Sequence, residues 1–395
     1  MSIIRRTAVL AAAVALLASP VAAALAASSD TSPASRGSSQ ASAGVPTPAE
    51  RADAARATAA RMTAADIVDV PVSFTVRNTN RSKTGCRTSG GTYTVRGHLT
   101  APASVLSGSK RAVTLYQHGI ASGEWYWRLD VPGYHYAEEL AERGHASLTI
   151  DRLGYDTSDR PDGFGTCIGA EADIAHQIVR QLRSGRYALD AKSATDPAAV
   201  KGSPPKFDTV TLAGQSNGGQ VVQIEAYSFG EVDGLMIMDW SDRGLTPEAN
   251  TRFFSALQTC MAGGQPSQKA SDPKGYAYYD LGADQFRRGN FHDTEERVVD
   301  AATPHQNRHP CGDMTSQLDS VFTDLEHLGS IKVPVLLVYG DDDARVTGGA
   351  AHRRLFTGAD TELVDIPGAG HYATMARSAP RTFDRIARWL DARDL

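Results

Sequence analysis

At 395 residues with 41% apolar side chains, the chain can build a sizeable core, as two domains or as one large α/β domain carrying an insertion. Its 40 basic and 45 acidic side chains leave a formal net charge of -5, and no Lys/Arg cluster interleaves with aromatics, which argues against nucleic acid as a partner. The 4 cysteines, Cys86, Cys167, Cys260 and Cys311, form no CxxC pair, which disfavours zinc ribbons and thioredoxin-type chemistry.

Arg5 and Arg6 precede an apolar run from Ala8 to Ala18, and small residues from Ala22 to Ala27 supply A-x-A cleavage options. Residues 1–27 therefore read as a secretory signal peptide; the run is short for an uncleaved span. Both the Sec and the twin-Arg routes stay open. The reading implies a secreted protein with no stable membrane anchor after signal removal, in a compartment that permits disulfides. Ser28 to Pro48 is Ser, Ala, Pro and Gly with little else, too poor in apolar groups to fold, so residues 28–66 read as a disordered linker followed by a marginal surface helix.

Val70 to Arg77 and Thr92 to Thr100 alternate and are β-branched, which predicts an antiparallel hairpin. Short apolar runs follow at Ala112 to Tyr116, Ala146 to Ile150, Thr209 to Leu212, Leu235 to Met238, Val335 to Val338 and Glu362 to Ile366. Helical patterns at Tyr134 to Arg143, Ala170 to Arg183, Gln220 to Tyr227 and Arg377 to Leu390 separate most of them. Strands alternating with helices predict an α/β fold with a doubly wound, mostly parallel sheet. One interval breaks the rhythm: about a hundred residues lie between Met238 and Val333, too many for one crossover. Aromatics such as Phe253, Tyr279 and Phe291 crowd it, so residues 240–332 read as a lid inserted after the sixth core strand, with 67–239 and 333–395 as the core. A second structural subdomain is the alternative.

At the end of one apolar run stands Gly214-Gln215-Ser216-Asn217-Gly218, with a helical pattern behind it. Strand, Gly-x-Ser-x-Gly, helix is the setting of a nucleophile elbow, where the sharp reversal needs small residues two places either side of the serine. The following helix N-terminus would offer N–H groups to a developing oxyanion. An ordinary tight turn is the bland alternative. His118-Gly119 follows the third run, Gly340-Asp341-Asp342-Asp343 the run at Val335, and Pro367-Gly368-Ala369-Gly370-His371 the last one.

From His118 to His371 the sequence resembles the α/β-hydrolase family, whose nucleophile, acid and base come in the order Ser, Asp, His. The resemblance implies Ser216 as nucleophile, His371 as base and Asp343 as the acid that orients it. Asp341 and Asp342 then serve the loop or cap a helix; Asp239 and Asp242, after the sixth strand, are the alternative acids. The main-chain N–H groups of Ile120 and Asn217 would form the oxyanion hole, and His118 would scaffold it. His118-Gly119-Ile120-Ala121 departs from the family's His-Gly-Gly form, which argues against the hormone-sensitive-lipase-like branch. Trp125, Tyr126 and Trp127 follow this loop and read as substrate-binding, with core packing as the alternative. Asp151 and Arg152, ending the fourth run, read as a buried ion pair supporting the site.

For the cysteines the reading is Cys260 with Cys311 inside the lid and Cys86 with Cys167 at the core's edge, although sequence alone does not choose among the possible pairings. His305, His309, Cys311 and His292 can be drawn as metal ligands, but Pro304 and Pro310 bracket the His pair and no HExxH occurs, so no metal is expected. Without a Rossmann fingerprint or P-loop, no cofactor is implied.

The function expected is a secreted serine hydrolase cleaving small-molecule or lipid-like carboxylic esters through an acyl-enzyme. An exported exopeptidase or amidase, a lactone or thioester hydrolase, carbon–carbon bond hydrolysis and a catalytically silent binding protein are the alternatives. Oligomeric state is not legible.

Overall fold

The computed structural model describes residues 66–267 and 272–395. The expected signal peptide, and the linker and helix up to Asp66, lie outside the described residues. Eleven strands follow in chain order: β1 (Ile67–Arg77), β2 (Thr92–Pro102), β3 (Ala112–Gln117), β4 (Ser147–Asp151), β5 (Ala188–Leu189), β6 (Thr209–Gln215), β7 (Gly234–Met238), β8 (Tyr276–Tyr278), β9 (Arg308–Pro310), β10 (Val335–Gly340) and β11 (Thr361–Ile366). The helices are α1 (Ala103–Ser107), α2 (Tyr136–Glu142), α3 (Ile168–Ser184), α4 (Asn217–Ser228), α5 (Pro247–Met261), α6 (Ala283–Asn290), α7 (Glu296–Ala302), α8 (Cys311–His327), α9 (Gly349–Arg353) and α10 (Ala379–Asp391).

A 9-stranded sheet runs β11-β10-β7-β6-β3-β4-β2-β1-β5. β1 pairs antiparallel with β2 and β5, and β2 with β4; from β4 to β11 all pairings are parallel. The apolar runs are continuous because each central strand feeds two cores, one on either face. Leu235 and Ile237 of β7 enter one with Leu337 of β10 and Val221 of α4. Met236 and Met238 enter the other with Leu336, Val338 and the Phe383 and Trp389 side chains of α10. Helices on both faces make the sheet doubly wound, as the sequence predicts. β6 and β7 pair Gln215 with Met238, and β10 and β7 pair Val338 with Met238, so these strands end together. A crevice outside the carboxyl ends of parallel strands is where such sheets carry their sites.

Each predicted strand and helix is present to within a few residues at either end. The helices α1 and α5 to α9 are not among those the sequence predicts, nor are β5 and the β8–β9 pair, which are too short to show a period. Between β7 and β10 lie α5 to α8 and that small antiparallel pair. Its last helix, α8, packs on α3 and α4 of the core, where Asp324 accepts hydrogen bonds from Gln220 and Tyr227. Disulfides join Cys86 to Cys167 and Cys260 to Cys311, the latter tying the end of α5 to the start of α8.

Candidate active site

Ser216 sits between β6 and α4 with φ 53° and ψ -127°, a conformation a non-glycine residue holds only under surrounding constraint. Glycine makes the turn possible. A Cβ on Gly214 would stand 2.1 Å from the Gly218 carbonyl oxygen, and one on Gly218 2.3 Å from that of Gln117. Above the serine is a cavity of about 30 Å³ whose wall includes Ile120, Asn217, Trp240, Phe253, Arg345 and His371.

The loop after β11 brings in His371, and Gln215 holds it by donating from Nε2 to the His371 carbonyl (2.9 Å). His371 Nδ1 lies 2.8 Å from Asp343 Oδ2. With the Nδ1 proton on that bond, Nε2 carries the ring's free lone pair. Asp343 is fixed in turn: its Oδ1 accepts from the Arg345 N–H (2.6 Å) and the Val346 N–H (3.1 Å). The alternative acids are engaged elsewhere. Asp239 Oδ1 accepts from Gly340 N–H (2.9 Å), and burial, with the Asp343 charge beside it, pushes the Asp239 carboxyl well above the usual carboxylate range. Asp242 bonds His352, Trp240 and Gln223. Asp341 accepts from Gly368 N–H, tying the acid loop to the histidine loop.

Ile120 and Asn217 both line the cavity, and neither main-chain N–H meets a main-chain carbonyl among the described residues. Asn217 opens α4, where an N–H has no partner within the helix. His118 lies behind this loop. Its Nδ1 bonds the Gly119 carbonyl (2.8 Å) and its Nε2 accepts from Arg152 N–H (3.0 Å), which fixes one neutral tautomer. Burial and the Arg152 charge hold its pKa well below the usual imidazole value.

The sequence missed how Arg152 works. It does not pair with Asp151, which instead accepts from Glu124 and Thr157. Fully buried, Arg152 reaches from Nη1 to the His118 carbonyl (3.1 Å) and Asn217 Oδ1 (2.9 Å), and from Nη2 to Asp313 Oδ2 (2.8 Å) on α8. Its neighbour Glu171, 3.7 Å away, is pushed up to about 8 by burial. One guanidinium thus ties the loop after β3, the residue after the serine and the segment after β7; i-to-j spacing in the sequence carries no sign of that.

Trp125, Tyr126 and Trp127 do not line the cavity. Trp127 packs on Tyr116 and Tyr136 in the core, and Tyr126 acts at one remove, packing on the cavity residue Tyr372 at 4.8 Å. All three lie on a short helical turn, Glu124–Trp127, after the loop. Among the described residues no group of three or more His, Cys, Asp or Glu side chains is placed to hold a metal. Cys311 is bonded to Cys260, His305 stacks on Trp125, and His309 is buried with its pKa lowered to about 4.

A doubly wound, mostly parallel sheet that turns through a strained serine into a helix defines the α/β-hydrolase fold. The chain belongs to the alpha/beta hydrolase family, whose sequence model matches residues 112–385, and it is a hydrolase by that membership. Solved structures share the fold. A thermophilic esterase from Thermogutta terrifontis aligns over 81% of this chain and 98% of its own at 17% identity and TM-score 0.54. The alpha/beta hydrolase GrgF from a Penicillium species aligns over 82% and 98%, at 17% identity and TM-score 0.50. A monoacylglycerol lipase from Paleococcus ferrophilus aligns over 71% and 94%, at 17% identity and TM-score 0.50. A comparison with curated proteins gives no significant match.

Proposed function

We propose that the protein hydrolyses carboxylic esters through an acyl-enzyme on Ser216. His371 takes the serine proton at Nε2 and gives it to the leaving alcohol, Asp343 holds the imidazole and its charge, and the Ile120 and Asn217 N–H groups receive the oxyanion. A water then repeats the cycle and releases the acid. The observation that carries the reading is the His371–Asp343 bond at 2.8 Å on a wall shared with the strained Ser216. Esterases and lipases among the structural neighbours are in keeping with ester substrates.

We read α5 to the start of α8 as a cap over the site. Ala249, Phe253, Tyr279 and Gln317 come from it to the cavity wall. Buried ion pairs fasten it: Arg152–Asp313 on one side and Arg345–Asp280, also 2.8 Å, on the other. Removing one partner of a buried pair costs about 3–5 kcal/mol, so this cap resists lifting. Because Ala249, Phe253, Tyr279 and Gln317 come over the serine, we read the substrates as short-chain esters rather than long acyl lipids. Export of the protein agrees with the two disulfides and with the lack, among the described residues, of a helix long and apolar enough to cross a membrane.

A fluorophosphonate probe tests the reading: it should label the wild type at Ser216 and leave Ser216→Ala unlabelled. p-Nitrophenyl butanoate should turn over while aminoacyl nitroanilides do not. Preference for the nitroanilides would make the enzyme a peptidase, and labelling at another residue would overturn the triad.

A further inference from the structure

Arg345 stands two residues beyond Asp343, on the cavity wall, with its side chain 5% exposed. Its Nη2 donates to both Asp280 oxygens at 2.8 Å, its Nε to Asn290 Oδ1 at 3.1 Å, and its guanidinium carbon lies 5.1 Å from the centre of the Tyr279 ring. Nη1 is buried with no hydrogen-bond partner among the described residues. A buried donor left without an acceptor costs free energy, and guanidinium has no way to shed the proton.

Several neighbouring polar groups on the wall are already spent on the protein. Tyr279 donates its hydroxyl to the Ala249 carbonyl, Asn290 its Nδ2 to the Phe286 carbonyl and Trp240 its Nε1 to Asp242, while Ser122 and Tyr372 bond each other at 2.7 Å. Leu245, Phe253 and Val346 make the rest of that wall apolar. The wall residues Gln215 and Asn217 also carry a buried atom without a partner, Oε1 and Nδ2, and of these unpartnered atoms only Arg345 Nη1 belongs to a charged group.

Resting on the ester-hydrolase reading, we propose that Arg345 sets specificity by donating from Nη1 to a neutral acceptor oxygen, a ketone, ether or hydroxyl, carried by the substrate beside its scissile ester. Charge selects neutral oxygen over carboxylate. Asp280 is fully buried, is not on the cavity wall, and already neutralises the guanidinium. A second carboxylate would leave an excess negative charge in a desolvated place beside Asp343.

The test uses matched p-nitrophenyl esters in which an oxygen replaces or decorates a methylene: methoxyacetate against butanoate, and 4-oxopentanoate against hexanoate, with a free-carboxylate ester as a further arm. Each kcat/KM ratio in the wild type is divided by the same ratio in Arg345→Lys, which cancels the intrinsic reactivity of the esters. The double variant Arg345→Met with Asp280→Leu repeats the measurement without leaving an unpaired buried charge, should the lysine variant fail to fold. The expected double ratio is about 10-fold in favour of oxygen in at least one pair. A ratio near unity in every pair overturns the proposal, and so does a preference for the carboxylate ester. If the fluorophosphonate labels Ser216 while the ratios stay flat, only the role of Arg345 falls; if the wild type neither labels nor turns over any ester, the triad reading falls and takes this one with it.

Discussion

Two aspartates at the ends of neighbouring strands compete for the same job, and their hydrogen bonds separate them. Asp343 accepts from two main-chain N–H groups and faces His371. Asp239 accepts from Gly340 N–H instead, and burial with the Asp343 charge beside it pushes its carboxyl well above the usual carboxylate range. Asp343→Asn should therefore cut kcat by about 10⁴ by presenting the wrong group to the imidazole. Asp239→Asn, which leaves the His371–Asp343 bond untouched, should change kcat little. Steady-state kinetics on one soluble ester decides; a large loss in Asp239→Asn alone reverses the assignment. Ser216, His371 and the Gly-x-x-Asp spacing to Asp343 were legible in the sequence because each follows an apolar run at a strand end. That Trp125, Tyr126 and Trp127 lie off the cavity wall was not legible, since residue type says an aromatic ring is useful but not which neighbours it packs on.

At the scale of elements, the segment after β7 is held by two kinds of tie. The Cys260–Cys311 disulfide closes a loop with a separation of 51 residues between α5 and α8. On the chain-entropy model that constraint contributes about 4 kcal/mol, so replacing both cysteines by serine should lower stability by that order, read by extrapolating denaturant unfolding to water, with a steeper slope from the less compact unfolded chain. The other tie is the Arg152–Asp313–Glu171 group beside the loop after β3. Glu171 titrates at about 8 in the fold and at the usual glutamate value of 4.5 outside it, so the native state holds the extra proton between those values. Stability thus falls as pH rises through that window and levels off above it. Glu171→Gln has no proton to lose, and its melting temperature should fall less than the wild type's between about pH 5 and 8. Equal slopes in thermal melts would show that Glu171 stays ionised throughout. The length of the insertion was legible from the gap between apolar runs; that α8 belongs against α3 and α4 was not, because its apolar face fits core and cap equally well by pattern.

For the whole molecule, the proposed cap and the core share more than the two ion pairs. Asn307 N–H bonds the Ala121 carbonyl beside the oxyanion loop, and Tyr372 N–H, next to the histidine, bonds the Asn290 carbonyl at the end of α6. Moving the cap as a body would break these bonds and two buried pairs together. The rate on a sparingly soluble ester such as tributyrin should therefore saturate smoothly with concentration, with no jump where emulsion droplets form. A sharp rise at the solubility limit would mean that an interface opens the site and that the cap swings.

The mostly parallel sheet with helices between its strands, and the chain positions of the candidate nucleophile Ser216 and candidate base His371, were legible in the sequence, because periodicity and turn chemistry are local and both residues sit at the end of a locally readable strand. Only the tertiary structure decided which aspartate meets the histidine, that Arg152 and Arg345 reach across to Asp313 and Asp280, and how small the space over Ser216 is. Those are matters of burial and of charges brought together from distant parts of the chain, and their energies exist only once water has been excluded between them.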